Sequence, residues 1–219
     1  MDALFHDRSE AGRKLGSALL KYVGEPVVVL AIPRGGVPVA CEVAKSLNAQ
    51  AFDLLIARKI PLPWNQEAGF GAVTSTGEVV LNQEVLKQIH LSPEDIIELS
   101  EKVYKEIRRR MDIYRGDREF PEMTDKVVII VDDGMATGFT MVAAIKSVKK
   151  YKPRKIVAAV PVAPASSVRH VQKYADEVVT LWSEETREFA VASFYTEFPD
   201  LEDEEVVQLL DDYDTLRGP

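Results

Sequence analysis

The chain has 219 residues, of which 46% are hydrophobic and 28% are charged, a composition typical of a folded protein with a sizeable core. Its 35 acidic residues outnumber its 27 basic residues, and the net charge of −8 argues against a general nucleic-acid-binding protein. The single cysteine excludes an internal disulfide and argues against a zinc site built from thiolates. We expect one domain over residues 1–219.

The location of the protein is predicted from what the sequence does not contain. The N-terminal residues show no basic head followed by an apolar stretch, so we expect no secretory signal. The longest apolar run, Ile156–Pro164, is too short to span a bilayer. We therefore expect a cytoplasmic protein that has neither a membrane nor a nucleic acid as its partner.

Helical patterns and short apolar runs alternate along the chain. The helical patterns cover Ser9–Tyr22, Val37–Leu47, Ser92–Tyr114, Thr137–Tyr151, Pro164–Tyr174 and Leu201–Tyr213. The apolar runs predict strands buried on both faces, at Val27–Ile32, Phe52–Ala57, Val127–Val131, Lys155–Val160 and Glu177–Leu181. This alternation predicts an α/β fold with a mainly parallel, twisted sheet flanked by helices.

The first predicted strand runs into a glycine-containing turn at residues 32–38. Gly35 and Gly36 allow unusual backbone angles and expose amide groups, and Arg34 offers a forked cation. These features suit an anionic ligand. The alternative is an ordinary strand–helix turn with an arginine at the surface.

The second predicted strand leads into a long connection at residues 59–83. Arg58 and Lys59 end that strand, where both cations would point towards the ligand edge of the sheet. The segment Phe70–Leu81 predicts a hairpin that turns at residues 76 and 77. Such a long connection is usually functional or mobile, and the alternative is a plain surface hairpin.

The longest predicted helix, Ser92–Tyr114, ends in basic residues. We expect Ser92 to cap its N-terminus, with Pro93 in the first helical position. The basic residues 108–110 are expected to be solvated, or to meet the acidic tail at Glu197–Asp214 of the same or another subunit.

The most informative segment follows the third strand. Asp132 and Asp133 can accept hydrogen bonds from a diol or hold a hydrated cation. A turn of mostly small residues and the start of a helix come next, with Gly134, Met135, Ala136, Thr137, Gly138 and Thr140. Accessible amides, a helix N-terminus and threonine hydroxyls suit a phosphate group. The alternative is that these residues only cap a turn and a helix.

Other phosphate motifs do not match. The sequence contains neither GxxxxGK[ST] nor a GxGxxG after a strand, which argues against a P-loop and a Rossmann dinucleotide site. The string IIVDD is similar to receiver domains, but the following strand does not end in the phosphoacceptor aspartate that those domains need.

The run VVIIVDDGMATGFTM at residues 127–141 resembles the signature of the type I phosphoribosyltransferases, which bind phosphoribosyl pyrophosphate (PRPP). It is most similar to the form found in adenine phosphoribosyltransferases. The resemblance implies the type I phosphoribosyltransferase fold, with a flexible hairpin loop and a C-terminal hood within about residues 182–219. It further implies that Asp132 and Asp133 bind the ribose hydroxyls and that residues 134–140 hold the 5′-phosphate.

The resemblance extends to two neighbouring turns. The turn with Arg34, Gly35 and Gly36 looks like the pyrophosphate loop, in which a cis peptide is expected at Arg34–Gly35. The pair Arg58-Lys59 is similar to an Arg-Lys pair that precedes the flexible loop, and it is expected to bind pyrophosphate. Glu67 in that loop is a candidate contact of the base or of the sugar cation, or it is simply solvated.

The segment at residues 187–198 looks like the hood of the 6-oxopurine phosphoribosyltransferases. Phe189 matches the aromatic residue that stacks on the purine, and Val191 lies where the hood reads the edge of the base. Trp182 is a further aromatic candidate for base binding. The alternative is that these side chains serve packing.

Two departures from the 6-oxopurine branch leave the acceptor open. Ala136 stands where that branch has an aspartate proposed as the general base. The region 160–164 contains no lysine that could read a 6-oxo group. Hypoxanthine and guanine are therefore not supported, although the hood does not resemble the adenine branch.

The resemblance implies a phosphoribosyltransferase that uses PRPP and Mg²⁺ to ribosylate a nitrogenous base, with a purine favoured, and that releases pyrophosphate. Mg²⁺ would be held through PRPP, with contact to Asp132 or Asp133 only through water. A homodimer is usual in the family. The alternatives are a regulatory protein that senses PRPP or a nucleotide without catalysis, and transfer to an acceptor that is not a nucleobase.

Overall fold

The computed structural model describes residues 3–116, 118–186 and 188–217. These residues form eight strands: β1 (Val27–Ala31), β2 (Ala51–Leu54), β3 (Ala57–Leu62), β4 (Asn65–Thr74), β5 (Val79–Leu81), β6 (Val127–Val131), β7 (Lys155–Val162) and β8 (Glu177–Trp182). They also form seven α-helices: α1 (Arg8–Ala18), α2 (Gly36–Leu47), α3 (Gln83–Leu86), α4 (Pro93–Arg115), α5 (Phe139–Lys149), α6 (Ala165–Val171) and α7 (Asp203–Arg217). Two 3₁₀ turns lie at Leu20–Tyr22 and Val191–Phe194.

The main sheet is parallel throughout, with the strand order β2-β1-β6-β7-β8. All five residues of β1 and of β6 are buried, because helices cover both faces of the sheet. Val27, Val29 and Ala31 pack into a core shared with α1, α2, α4 and α7, whereas Val28 and Leu30 face a second core with α5 and α6. The predicted α/β class with a parallel sheet is confirmed.

The register of the two central strands determines where the loops meet. Ala31 lies beside Val131, so β1 and β6 end at the same level and at the same edge. Ile32 continues the pairing by donating its amide to the Val131 carbonyl at 2.8 Å. The turn after β1 and the turn after β6 are therefore neighbours.

The predicted strand Phe52–Ala57 is wrong in its extent, because this run belongs to two strands in two different sheets. The Leu55 amide still donates to the Ala31 carbonyl, but Ala57 already pairs with Thr74 in a second, antiparallel sheet of order β3-β4-β5. An apolar run shows that residues are buried and does not show where their pairing partner changes. The predicted hairpin at residues 70–81 is present, and its turn contains Gly77 at φ +80°.

Most helices lie within a few residues of their predicted positions. Ser92 caps α4 and forms a capping box with Asp95, as the spacing of these residues predicts. In contrast, α5 begins at Phe139 and not at Thr137, because Gly138 has a left-handed backbone at the N-cap. Thr137 therefore belongs to the loop that precedes α5.

Arg108 and Arg109 at the basic end of α4 are exposed, and the acidic C-terminal tail pairs instead with a basic residue just beyond that helix. Val206 and Leu210 of α7 are buried in the core, and Arg118, just beyond α4, pairs with Asp211 and Asp214. Within the described residues, none of the helices is both long and apolar enough to cross a membrane.

Candidate functional site

The turn after β1 approaches the turn after β6 so closely that a Cβ atom would clash at two glycine positions. A Cβ atom on Gly36 would lie 2.9 Å from the Val131 carbonyl oxygen and 2.9 Å from the Cα of Asp132. A Cβ atom on Gly35 would lie 1.9 Å from Oδ2 of Asp133. The two predicted anion-binding turns therefore lie side by side at the carboxyl edge of the sheet, where open α/β sheets bind ligands.

The predicted position of the cis peptide bond, Arg34–Gly35, is wrong by one residue. The cis peptide bond lies at Pro33–Arg34 and not at Arg34–Gly35. The glycines at positions 35 and 36 provide space for the carboxylate and backbone of the neighbouring turn.

The predicted phosphate-binding residues line one cavity of about 110 Å³, which we call the cup. Its walls are Asp132, Gly134, Met135, Ala136, Thr137, Gly138, Thr140 and Met141. In the described part of the chain, the backbone amides of residues 136–140 donate to no protein acceptor. Since α5 begins at Phe139, the cup also contains the positive end of a helix dipole. This arrangement suits a phosphate group.

The two carboxylates after β6 have different surroundings. Asp132 lines the cup and accepts the Asp133 amide at 2.8 Å through Oδ1. Oδ2 of Asp133 accepts Nε of Arg8 at 2.8 Å, and its backbone carbonyl accepts the Tyr195 hydroxyl at 2.6 Å. Burial raises the pKa of both carboxyls, most strongly at Asp132, where the charge of Asp133 adds to the effect. At Asp133, Arg8 acts in the opposite direction and favours the charged form.

Arg8 and Tyr195 are functional candidates that sequence reasoning missed. Arg8 lies 125 positions before Asp133, and neither residue stands in a recognisable motif with it. Arg8 is 8% exposed and Tyr195 is 6% exposed. Such deep burial is unusual for an arginine. A lone arginine at the start of a helix carries no sequence signal for such a long-range contact.

Arg34, the cation of the first turn, lies next to the C-terminal helix. Its Nη1 is 3.6 Å from Oδ1 of Asp203, the first residue of α7. The Tyr114 hydroxyl donates to the same Asp203 oxygen at 2.5 Å. That hydrogen bond is the main reason why the pKa of Asp203 lies below its usual range, so its carboxylate is charged and attracts Arg34.

Arg58 and Lys59 do not line the cup. They lie in β3 and border a separate cavity of about 570 Å³ against Leu99, Lys102 and other residues of α4. The Arg58 guanidinium pairs with Glu106 of that helix. The two cavities have no lining residue in common. The side chain of Glu67 lies outside the described residues.

The predicted base-binding residues divide between the cup and an aromatic cluster. Phe189 stacks beside Trp182 with ring centroids 6.2 Å apart, and both rings contact Phe194, at 5.3 and 4.6 Å respectively. Val191 packs against the same cluster and also contacts the cup at Gly134, since a Cβ atom on Gly134 would lie 2.5 Å from its Cγ1. Trp182 and Phe189 therefore pack against other aromatic rings, and both side chains are half-buried, so part of each stays exposed.

The two carboxylates after β6 could contribute oxygen ligands to a magnesium ion that a phosphate ligand also holds. Among the described residues, no group of three or more His, Cys, Asp or Glu side chains could hold a metal ion. Mg²⁺ prefers oxygen ligands, keeps several waters and is commonly bound by one or two carboxylates together with substrate phosphates. Asp132 and Asp133 provide carboxylates of this kind, but two carboxylates do not complete the coordination sphere of the ion.

Comparisons with known proteins show what the chain is similar to in sequence and in fold. A family model described as a phosphoribosyl transferase domain matches residues 6–195. A Mycobacterium tuberculosis H37Rv protein, named as a "putative phosphoribosyl transferase", is 42% identical over 208 residues, which are 95% of this chain and 46% of that protein. The chain thus spans about half the length of the curated relatives it matches.

The solved structures give the same picture of the fold. The crystal structure of TT1426 from Thermus thermophilus is 37% identical, has a TM-score of 0.80, and covers 97% of this chain and 99% of that chain. The AQ2163 protein from Aquifex aeolicus is 16% identical, has a TM-score of 0.50, and covers 83% of this chain and 77% of that chain. At that identity the second likeness shows the fold alone.

Proposed function

The chain belongs to the phosphoribosyl transferase family, and on that premise we propose that it transfers the phosphoribosyl group of PRPP to a nitrogenous base and releases pyrophosphate. The observation that carries the proposal is the cup. Among the described residues, the amides of residues 136–140 have no protein acceptor, and the carboxylate of Asp132 lines the same cavity. A sugar that bears a terminal phosphate satisfies both groups at once, because its phosphate accepts hydrogen bonds and its hydroxyls donate them.

The 5′-phosphate binds in the cup. It accepts hydrogen bonds from the amides of residues 136–140 and from the hydroxyls of Thr137 and Thr140, which line the same cavity. The N-terminus of α5 stabilises its negative charge. This end of the substrate does not react, so it provides binding energy that fixes the ribose against Asp132 and Asp133, which we call the acid pair.

The ribose hydroxyls bind Asp132 and Asp133. As pyrophosphate leaves, positive charge develops on the ribose ring, and two fixed carboxylates stabilise that charge in a site where the surrounding dielectric is low. The base nitrogen attacks C1′ and forms the new C–N bond while the C–O bond to pyrophosphate breaks. The electron pair of the broken bond leaves with pyrophosphate.

The leaving pyrophosphate is assigned to the turn with Arg34, Gly35 and Gly36. This turn lies against Asp132 and Asp133, and the Arg34 guanidinium offsets the charge of the leaving group. The pyrophosphate contacts of Arg58 and Lys59 stay predictions. In the structure Arg58 pairs with Glu106, so it would have to leave that partner to bind pyrophosphate. Mg²⁺, when bound through the substrate phosphates, supplies further neutralisation of the leaving group.

A purine is the favoured acceptor, and Phe189, Val191 and Trp182 are the candidate contacts. Val191 lies against Gly134 at the edge of the cup, and the aromatic cluster continues from there, so a flat base at C1′ has apolar surface to stack on. Ala136 provides no acid or base, and the proton transfer at the base stays unassigned. The cytoplasmic location and the homodimer also stay predictions.

The test is a pyrophosphate-release assay with PRPP, Mg²⁺ and a panel of purine, pyrimidine and other nitrogenous bases. We expect release that depends on one base or a few related bases, with the nucleotide formed in equal amount. Measurable PRPP binding with no release on any base would contradict the enzymatic proposal and support the second candidate.

That second candidate is a protein that senses PRPP or a nucleotide without catalysis, or that uses an acceptor other than a nucleobase. The observation that favours it is Ala136, a methyl group on the wall of the cup at the position where the 6-oxopurine branch has a carboxylate. The two parts of this alternative differ in the assay. A sensor releases no pyrophosphate with any acceptor, whereas an enzyme for another acceptor releases it once amines and hydroxyl compounds are added to the panel.

A further inference from the structure

Arg8 is a buried arginine at a position where a cation is unfavourable. It is the first residue of α1, and Asp7 caps that helix by accepting the Glu10 amide at 2.7 Å. A positive charge in the first turn of a helix opposes the helix dipole, and an arginine with 8% exposure loses most of its hydration. Such a residue needs specific partners that offset both costs.

Three partners surround the Arg8 guanidinium. Nε donates to Oδ2 of Asp133 at 2.8 Å, and Nη1 donates to the Pro199 carbonyl at 2.6 Å. Its Cζ lies 3.7 Å from the centre of the Phe198 ring, within the range of a cation–π contact. Arg8 therefore joins the acid pair after β6 to the end of the hood.

The position of Arg8 is fixed by the chain on both sides of it. The N-terminal segment pairs with the hood: the Leu4 amide donates to Phe194, and the amides of Thr196 and Glu197 donate to Phe5 and His6. We call this paired segment, residues 4–8 together with residues 194–199, the clasp. Arg8 lies at the end of the clasp that points towards β6.

Two features fix the Asp133 carboxylate. Its Oδ2 accepts Nε of Arg8, and the same oxygen occupies the space that a Cβ atom at position 35 would need. Its backbone is fixed as well, because the Tyr195 hydroxyl donates to its carbonyl. Tyr195 belongs to the clasp, so Arg8 and Tyr195 tie the hood to Asp133 through its side chain and its main chain.

We propose that Arg8 is a positioning residue, which holds the Asp133 carboxylate in the orientation that binds the ribose hydroxyls, and which couples this carboxylate to the hood through the clasp. This inference rests on the proposed function, since it assigns Asp133 to the ribose. Arg8 itself does not touch the substrate. A loss of Arg8 therefore affects binding of the ribose and leaves binding of the phosphate in the cup intact.

The alternative is that Arg8 only stabilises the fold, as any buried ion pair would. A matched control exists at Arg115, which pairs with Asp53 at 2.9 Å. The side chains of that pair are 12% and 8% exposed, against 9% and 14% for Arg8 and Asp133. Arg115 lines neither the cup nor the cavity beside α4.

The experiment is isothermal titration of three full-length proteins, wild type, Arg8→Met and Arg115→Met, with ribose 5-phosphate and separately with inorganic phosphate. We expect Arg8→Met to weaken ribose 5-phosphate binding by about tenfold or more, the effect of losing a charge-assisted contact, while its phosphate affinity stays within about twofold of wild type. Arg115→Met should lose thermal stability but bind both ligands as the wild type does. Equal ribose 5-phosphate affinity in wild type and Arg8→Met would overturn the proposal.

Two further results complete the test. If Arg8→Met does not fold, Arg8→Lys replaces it, since lysine keeps the charge but cannot reach Asp133 and Pro199 with one planar group. We expect Arg8→Lys to weaken ribose 5-phosphate binding without weakening phosphate binding, and unchanged binding of both ligands would overturn the proposal. Failure of the wild type to bind ribose 5-phosphate or PRPP would instead contradict the proposed function, so the two failures are distinguishable.

Discussion

Gly35 lies directly against the carboxylate of Asp133, so that a Cβ atom at position 35 would overlap Oδ2 at 1.9 Å. The two residues belong to different turns, one after β1 and one after β6, and the contact exists because these strands end at the same level of the sheet. The same Oδ2 accepts a hydrogen bond from Nε of Arg8 at 2.8 Å. The position of the Asp133 carboxylate therefore depends on Arg8 and on the backbone at Gly35.

The substitution Gly35→Ala should therefore impair the site more than the fold. The new methyl group must displace the Asp133 carboxylate, and a misplacement of about 1 Å at a binding group can reduce kcat/KM by about 100-fold. We expect kcat/KM for PRPP to fall by at least about tenfold, as measured by pyrophosphate release. The control is Gly24→Ala, which meets open space at φ +87° and should lower the melting temperature through backbone strain alone. An unchanged kcat/KM in Gly35→Ala would contradict this interpretation.

The double substitution Asp132→Asn with Asp133→Asn should nearly abolish turnover and leave the fold intact. Both changes keep the shape of the side chains while they remove the charge that stabilises the ribose in the transition state, so we expect a loss of about 100-fold or more in kcat. Circular dichroism checks the fold, and pyrophosphate release measures the turnover.

A matched double variant is Asp211→Asn with Asp214→Asn, which removes two exposed carboxylates that pair with Arg118. It should retain wild-type turnover. Undiminished pyrophosphate release in the Asp132 and Asp133 variant would defeat the proposed mechanism.

Much of the architecture follows from the sequence, because buried parallel strands and the helices between them give strong periodic signals. The runs at residues 27–32 and 127–131 predicted strands buried on both faces, and the residues after the second run predicted an edge where ligands bind. The structure adds that these two strands are neighbours in the sheet. The small residues and threonines after Asp133 predicted a phosphate cup, and those residues do line one cavity. These features are local in sequence, which is why sequence patterns reveal them.

The remaining features depend on contacts between distant segments. No local pattern indicates that the run at residues 52–57 leaves one sheet for another, since both halves are buried. Arg8 reaches Asp133 across 125 positions, and Arg58 pairs with Glu106 in a helix rather than facing the cup. The partners of charged side chains are set by tertiary packing, so a single sequence does not identify them.

Phe189 and Phe194 belong to one aromatic cluster but should respond differently to substitution by alanine. Phe194 is buried at 6% exposure, so Phe194→Ala should cost about 3–5 kcal/mol of stability, the usual effect of emptying an aromatic site in a core. Phe189 is half-buried, and Phe189→Ala should raise KM for the base with a smaller loss of stability. Thermal unfolding and steady-state kinetics separate the two effects. A KM for the base that does not change in Phe189→Ala would show that this ring serves packing only.

Glu177 should make stability depend on pH in the acidic range. Burial acts to raise its pKa, but hydrogen bonds from Lys21, Tyr22 and Lys155 lower the pKa from 4.5 to about 2. A carboxyl whose pKa is lower in the folded state stabilises the protein fully above its unfolded pKa, and this contribution is lost as pH falls through the folded pKa. Glu177→Gln should therefore melt several degrees below wild type at pH 7, and the difference should shrink between about pH 4.5 and pH 2.

The control for this prediction is Glu185→Gln, because the Glu185 pair with Arg169 is exposed, at 69% and 59%. Exposed ion pairs contribute little to stability, so its melting temperature should stay close to that of wild type at every pH. A difference between Glu177→Gln and wild type that is the same at pH 7 and at pH 3 would contradict the assignment.

The central claim is that the cup binds the phosphate end of a phosphorylated sugar whose hydroxyls face the acid pair. The most direct test is a crystal structure of the protein with PRPP and Mg²⁺. The account predicts the 5′-phosphate within hydrogen-bonding distance of the amides of residues 136–140, and the ribose hydroxyls at Asp132 and Asp133. PRPP bound in the cavity between β3 and α4, with the cup amides bonded to protein acceptors, would contradict it.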